Sequence, residues 1–189
     1  MKQIFFTFLI LSLFSAFFST IIMTKDEWVE RLVYVANKKS KYSQEYGYNA
    51  LRWDGEKFWC DCSNLMKALF NGRDVYNPKV NSFQKDTSNT GDVNADGLIK
   101  KAAYISTDFS KLKAGEPRLI HMSGHMGAYL GKEIKTDHGV CNVVECTPAW
   151  NDGAQFSYVD SQGRRFYGKG GSRRGTWERH GLPNKWVQY

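Results

Sequence analysis

The hydrophobic period of this 189-residue chain changes along its length, and that change limits the fold class. Apolar residues recur at helical spacing over residues 28–36 and again over residues 65–70. From residue 118 onward they fall into short runs separated by turns that contain glycine, a pattern typical of strands. Helices that precede strands in this way predict an α+β fold, in which helices pack on a central antiparallel β-sheet.

Capping residues and breakers give the expected limits of the two helices. Thr24 and Glu27 form a capping box, so we expect a helix from there to about Lys38. The second helix is expected to begin at Cys62 and to end at Asn71-Gly72. The aromatic-rich segment between them, residues 42–58, is interpreted as a loop that lines a groove.

The strand predictions fall in the second half of the chain. Three strands are expected at residues 118–121, 125–130 and 140–146, and Gly131 is expected to end the second of them. Shorter candidates lie at residues 155–159 and 165–167. Residues 75–108 are mostly polar and show no period. The sequence contains no internal repeat and no linker between domains, so one domain is expected over residues 24–189.

The amino terminus resembles an export signal. Lys2 precedes an apolar run at residues 4–23, and Ser15, Ala16 and Ser19 offer small residues for cleavage. We therefore expect a signal peptide at about residues 1–20 and a secreted domain, extracellular or in the lumen of a secretory or lysosomal compartment. An uncleaved run is long enough to span a bilayer as an anchor, and membrane contact is expected only in that case.

An oxidising compartment outside the cytosol favours disulfides, so the chain's four cysteines are candidates for pairing. Cys62 has two interpretations: a reactive thiol, or a buried structural cysteine or half of a disulfide. If Cys62 stays free, at most one bridge can form among Cys60, Cys141 and Cys146. A Cys60–Cys146 bridge is geometrically conceivable, and the sequence leaves the pairing open.

Cys62 and two later residues form a candidate site for nucleophilic catalysis. A cysteine at a helix start has its thiolate stabilised by the helix dipole, and the free amides there can hold an oxyanion. On the predicted strands, His125 and Glu145 can lie beside each other on one face of the sheet. A thiolate, an imidazole and an acceptor that orients the imidazole are the groups needed for acyl transfer. The alternatives are a core or surface histidine and an ordinary carboxylate at a sheet edge.

Three motifs together resemble the NlpC family of papain-like cell-wall peptidases. They are Asp61-Cys62-Ser63 at a helix start, Gly115-Glu116 before a strand, and the run His125-Met126-Gly127-Ala128-Tyr129-Leu130-Gly131. Their order and spacing cover most of residues 24–189. The chain departs from the family pattern at Asn64, where glycine is usual, and at Glu145, where histidine is common.

The resemblance implies a role for each matched residue. It implies Cys62 as the nucleophile, His125 as base and acid, and Glu145 as the third member of a triad. It also implies that Asp61 and Ser63 shape the subsite for the stem peptide. An upstream tyrosine is expected to help hold the oxyanion, and that residue is assigned to Tyr48, with Tyr42 and Tyr46 as alternatives.

Charge and metal-binding patterns limit the expected partners. The formal charge of +7 and a pI near 9.2 favour anionic partners such as the cell wall. The basic run at residues 164–179 is interpreted as a solvated loop, without the aromatic and basic alternation of a nucleic-acid module. Residues 92–97 imitate a calcium loop but lack its final glutamate, so they are interpreted as a turn. His121 and His125 have zinc-like spacing, but the glycine turn between them opposes a helix. His138 and His180 are interpreted as loop or surface residues. We therefore expect no metal and no cofactor.

The sequence thus predicts a secreted, monomeric cysteine endopeptidase or amidase. Its expected reaction is the hydrolysis of amide bonds in peptidoglycan stem peptides through a thioester. One alternative is an acyltransferase or lipid hydrolase on the same superfold, although such relatives usually carry the histidine before the cysteine. The other is a catalytically silent wall-binding domain.

Overall fold

The computed structural model describes residues 21–37, 43–77 and 87–189 of the chain. The predicted export signal at residues 1–20 and the candidate Tyr42 lie outside these ranges. In the described part, no helix is both long enough and apolar enough to cross a bilayer.

Each of the three α-helices in the described residues begins at a side chain that caps its free backbone amides. The Thr24–Glu27 capping box is confirmed, and Asp61 and Asn94 cap the other two helices. The α-helices are α1 (Lys25–Ala36), α2 (Cys62–Phe70) and α3 (Ala95–Ile99), and a 3₁₀ turn follows at Phe109–Lys111.

Within the ranges that the structure describes, the strands form one large sheet and two small ones. Their bounds are β1 (Met23–Thr24), β2 (Ser43–Tyr46), β3 (Leu51–Trp53), β4 (Lys57–Cys60), β5 (Ala103–Ser106), β6 (Arg118–Met122), β7 (His125–Thr136), β8 (Gly139–Cys146), β9 (Ala154–Val159), β10 (Arg164–Phe166), β11 (Arg173–Thr176), β12 (Arg179–Leu182) and β13 (Val187–Gln188). The large sheet has the order β11-β10-β9-β8-β7-β6-β12-β5, with every pair antiparallel. The order β2-β4-β3 describes the second sheet, and β1 pairs with β13. The α+β class with a large antiparallel sheet is therefore confirmed.

The segment before α2 was predicted to be a loop, and that prediction is wrong. Strand β4 pairs in parallel with β2 and antiparallel with β3, so this segment is a small mixed sheet. Sheet formation satisfies backbone groups that a loop would have to expose. The strand that leads into the nucleophile candidate is consequently held on both sides.

Strand β7 is also longer than predicted. Gly131 does not end it, because the strand continues to Thr136 past a change of register between Tyr129 and Ile134. Gly131 has a φ of +69°, and a Cβ there would lie 2.9 Å from the backbone nitrogen of Glu116. Gly131 thus permits the change of register within β7 and does not mark the end of the strand.

Two further local predictions are corrected. Residues 92–97 were interpreted as a turn, but Asn94 caps α3 within that segment. Likewise, His180 was interpreted as a loop or surface residue, yet it is buried on β12, and its Nδ1 lies 3.2 Å from Nη1 of Arg118. The carboxyl-terminal strands β11 to β13 carry too few apolar residues to be recognised from hydrophobic alternation.

The core lies between α1, α2 and one face of the large sheet. All nine residues of α2 are buried, including Leu65, Met66 and Phe70. The apolar residues of α2 belong to the same hydrophobic cluster as Trp28 of α1 and Val144 of β8. Burial on all sides fixes α2, and with it the residue at its first position, relative to the sheet.

Candidate active site

Cys62 occupies the first position of α2, directly after the capping residue Asp61. The Asp61 carboxylate accepts hydrogen bonds from the Asn64 amide at 2.7 Å, the Asn64 side chain at 3.0 Å and the Ser63 hydroxyl at 3.1 Å. These bonds fix the helix start, and the first amides of a helix have no partner within the helix itself. Asp61 and Ser63 therefore fix the first turn of α2, which sets the position of Cys62.

His125 and Glu145 lie on adjacent strands of the large sheet and are hydrogen-bonded. Nε2 of His125 lies 2.6 Å from Oε2 of Glu145. The Cys62 side chain interacts with the same imidazole, and Nδ1 is the ring nitrogen that the Glu145 contact leaves available to it. The structure thus brings together the three residues that the sequence predicts as a triad.

Gly127 makes room for the His125–Glu145 contact. It is paired with Glu145 in the register of β7 and β8, one step along the same face from His125. A Cβ at Gly127 would lie 3.2 Å from Cβ of Glu145 and 3.3 Å from the Trp177 ring. The missing side chain lets the glutamate reach diagonally to the imidazole.

Glu145 is fully buried and has further partners that the sequence analysis missed. Arg165 donates from Nε to Oε1 at 2.9 Å and from Nη2 to Oε2 at 2.5 Å. The Ser157 hydroxyl donates to Oε1 at 2.5 Å. Arg165 lies in the segment interpreted as a solvated loop, and that interpretation is wrong for this residue, since it is only 6% exposed.

Two tryptophans hold the charged groups in place. The Arg165 guanidinium lies 4.7 Å from the ring centroid of Trp150 and 5.6 Å from that of Trp177. Trp177 also stacks on the His125 imidazole, with 5.4 Å between centroids and 20° between ring planes. Contacts between cations and aromatic faces are strongest where water is excluded, as it is here.

The electrostatics of the pair favour an imidazolium facing a carboxylate. Burial lowers the pKa of His125, but hydrogen bonds with Cys62 and Glu145 outweigh that effect and raise it to about 9. Burial likewise raises the pKa of Glu145, but the hydrogen bond from His125 and the charge of Arg165 more than offset this, so the net direction is downward. At neutral pH the imidazole is therefore protonated and the glutamate is ionised.

An open cleft of about 320 Å³ adjoins the thiol. Cys62, Asp61, Ser63, Tyr46 and Tyr48 are among the residues that line it. The Tyr48 residue is 90% exposed, which places it at the rim. Tyr46 is partly buried, and burial together with the nearby charges of Cys62 and Asp61 raises its pKa to about 12. Tyr46 is therefore a tyrosine whose pKa responds to Cys62, whereas the sequence analysis preferred Tyr48.

No family model, curated protein or solved structure matches the chain. The geometry of the site is therefore the basis for the functional proposal.

The two metal-like patterns in the sequence have other roles. Asp96 of α3 pairs with His121, with Oδ1 2.6 Å from Nε2, so this carboxylate joins α3 to β6. His125 instead faces Glu145. Over residues 21–37, 43–77 and 87–189, no group of three or more histidine, cysteine or acidic residues is arranged to hold a metal ion.

Arg165 could have been found by combining two observations from the sequence. Glu145 lies among Val143, Val144 and Cys146 and is therefore expected to be buried, where a carboxylate needs a partner. The short strand predicted at residues 165–167 offered a cation for that purpose. The sequence did not reveal that β9 and β10 would continue the sheet directly beyond β8.

Proposed function

We propose that this protein is a papain-like cysteine peptidase of the NlpC type that hydrolyses amide bonds in peptidoglycan stem peptides. The observation that carries the proposal is the chain of contacts from Cys62 through His125 to Glu145 at the start of a buried helix. An α-helix that presents a thiol to a histidine on an antiparallel sheet is compatible with the NlpC fold. Export of the domain is part of the same proposal.

In the proposed reaction, the Cys62 thiolate attacks the carbonyl carbon of the scissile amide. The negative charge on the carbonyl oxygen is held by the backbone amide of Cys62, with the Tyr46 hydroxyl as a further donor. His125 donates its proton to the leaving nitrogen, so the C–N bond breaks and a thioester remains. His125 then removes a proton from water, and the hydroxide attacks the thioester carbonyl. The C–S bond breaks, the acid leaves, and the Cys62 thiolate and the His125 imidazolium are restored.

Glu145 has an orienting role in this reaction. Its contact with Nε2 fixes the imidazole so that Nδ1 faces the thiol, and its charge stabilises the imidazolium. Because Arg165 and Ser157 hold the carboxylate, we expect it to remain ionised while His125 changes its protonation state. Glu145→Gln should lower turnover by up to about 10⁴-fold, because the amide no longer fixes the imidazole tautomer that faces the thiol.

The proposal is tested by digesting purified peptidoglycan under reducing conditions and determining product masses. Wild type should release fragments whose masses sum to that of the uncut species plus one water for each bond cleaved, and Cys62→Ala should release none. Cys141→Ala is the matched control, because Cys141 is another buried cysteine but contacts Thr136 and His138 and does not line the cleft.

The outcomes separate the alternatives. Digestion by both wild type and Cys62→Ala, or by neither, would overturn the peptidase proposal. Binding to peptidoglycan without cleavage by wild type would favour a wall-binding domain. Turnover of an acyl lipid with no turnover of peptidoglycan would favour an acyltransferase or lipid hydrolase.

A further inference from the structure

Two other thiols lie beside the segment that carries Cys62. Sγ of Cys60 and Sγ of Cys146 are 3.1 Å apart, and both residues have no exposed surface. Both are free thiols in the structure. A disulfide has an S–S bond of about 2.05 Å, so the two sulfur atoms would need to approach by only about 1 Å.

The backbone around each of these cysteines is fixed by strand pairing. Cys60 ends β4, where it pairs with Tyr46 on one side and Leu51 on the other. Cys146 ends β8 and pairs with Ala154 of β9. The two sulfurs therefore meet because two sheets hold them together, and not through a chance contact of mobile side chains.

We propose that Cys60 and Cys146 close a disulfide that joins the segment of the nucleophile to the segment of its orienting carboxylate. Asp61 alone separates Cys60 from Cys62, and Glu145 directly precedes Cys146. The bridge spans 86 positions of sequence and fixes both flanks of the triad. The proposal concerns covalent structure and does not depend on the reaction that the site catalyses.

The bond forms by two thiol–disulfide exchanges with a small disulfide such as oxidised glutathione. The thiolate of one cysteine attacks a glutathione sulfur, which forms a mixed disulfide and releases one glutathione thiolate. The thiolate of the second cysteine then attacks the protein sulfur of that mixed disulfide and releases the second glutathione thiolate. Two protein thiols are oxidised, one glutathione disulfide is reduced to two glutathiones, and the protons pass to the buffer.

The folded site restricts when this exchange can occur. Burial, followed by the neighbouring Cys60 thiol, raises the pKa of Cys146 well above its ordinary value. A thiol of this kind reacts slowly, so the bond should form during folding, before the two sheets close around it. Once formed, the bond occupies both thiols, so neither Cys60 nor Cys146 is available to form a disulfide with Cys62.

The test is a thiol count on the full chain after refolding with a mixture of oxidised and reduced glutathione. The protein is then denatured without reductant, alkylated and weighed. Wild type should take up two alkyl groups, on Cys62 and Cys141, and before alkylation its mass should lie about 2 Da below that of the reduced protein. Cys62→Ala should take up one group, and its bridge can be mapped without ambiguity, because no other thiol lies close to Cys60 in sequence.

The control variants separate this bridge from other pairings. Cys141→Ser should keep the bridge, whereas Cys60→Ser and Cys146→Ser should each expose three thiols. Four alkylated thiols in oxidised wild type, or a bridge that includes Cys62, would overturn the proposal. Linked peptides mapped in Cys62→Ala decide the question even if the Cys60 and Cys146 variants fail to fold.

Discussion

Arg165→Met removes the cation that faces the buried carboxylate of Glu145. The variant loses two hydrogen bonds from the guanidinium to Glu145 and a longer one, at 3.4 Å, to the Arg174 carbonyl. It also loses the contacts with the Trp150 and Trp177 rings. Glu145 has no exposed surface, so water cannot replace the lost donors. Removal of one partner from a buried ion pair costs about 3–5 kcal/mol, which is a large part of the stability of an ordinary domain.

The neighbouring residue offers a matched control for this variant. Arg164 pairs with Asp160 through Nε at 2.6 Å, but its side chain is 42% exposed. An ion pair that is partly open to solvent contributes about 1 kcal/mol or less. We therefore expect Arg164→Met to be nearly neutral, although it removes the same kind of group from the same strand.

Urea unfolding measures both variants. For a typical dependence of about 1–3 kcal/mol per molar urea, Arg165→Met should lower the midpoint by about 1 M or more, and Arg164→Met by a few tenths. Adding Glu145→Gln to Arg165→Met should recover about 0.5–3 kcal/mol relative to the sum of the single variants, because the double variant leaves no buried charge unpaired. Equal effects of Arg164→Met and Arg165→Met, or strictly additive effects in the double variant, would refute the reasoning.

Arg165 is proposed as a positioning residue and not as a catalytic one, and its effect on activity should show this. Without the guanidinium, the pKa of Glu145 should rise, so the acidic limb of the pH–rate profile should move to higher pH. Arg165→Lys keeps the charge but not the two-pronged geometry, and its profile should lie between those of wild type and Arg165→Met. A fall in rate with an unchanged profile would indicate general loss of structure.

Three further predictions concern other parts of the site. Gly127→Ala should lower the free energy of unfolding by about 1–3 kcal/mol and also lower activity, because its Cβ would lie 3.0 Å from the Val144 carbonyl oxygen. Unfolding and turnover assays measure the two effects, and wild-type values for both would contradict the prediction. Asp61→Ala should lower the free energy of unfolding by about 1–2 kcal/mol, because the variant loses the cap of α2. Urea unfolding measures this change, and an unchanged midpoint would contradict the role assigned to the cap. The pKa of His125 is raised to about 9. Its protonation should therefore add up to about 3 kcal/mol to the free energy of unfolding, fully below pH ~6.5 and progressively less as the pH rises through about 9. Urea midpoints over that range should fall in wild type and fall less in Cys62→Ala, and parallel slopes for the two would exclude the coupling.

The parts of the fold that depend on local sequence were predictable. The capping box at Thr24 and the start of α2 at Asp61 are formed by residues three positions apart, so the sequence pattern contains the whole interaction. The proximity of His125 and Glu145 followed from strand periodicity and one antiparallel pairing. These are the contacts on which the proposed triad depends.

The parts that depend on distant pairing were not predictable in the same way. Arg165 reaches Glu145 only because β9 and β10 follow β8 in the sheet, and no local pattern specifies that order. The preference for Tyr48 over Tyr46 was made without knowledge of β2, whose pairing with β4 brings Tyr46 alongside Cys60. Where the outcome depends on which strands become neighbours, residue type and spacing leave several arrangements open.

The late position of Arg165 and Trp177 in the chain has a consequence for biosynthesis. A growing polypeptide that has emerged only as far as β8 already contains Cys62, His125 and Glu145, but it lacks the guanidinium that faces the carboxylate and the indole that covers the imidazole. Burial of Glu145 at that stage would leave its charge unpaired and is therefore unfavourable. The proposed triad should thus be completed only when the last strands are added, so that a ribosome-bound or truncated chain remains without an assembled site.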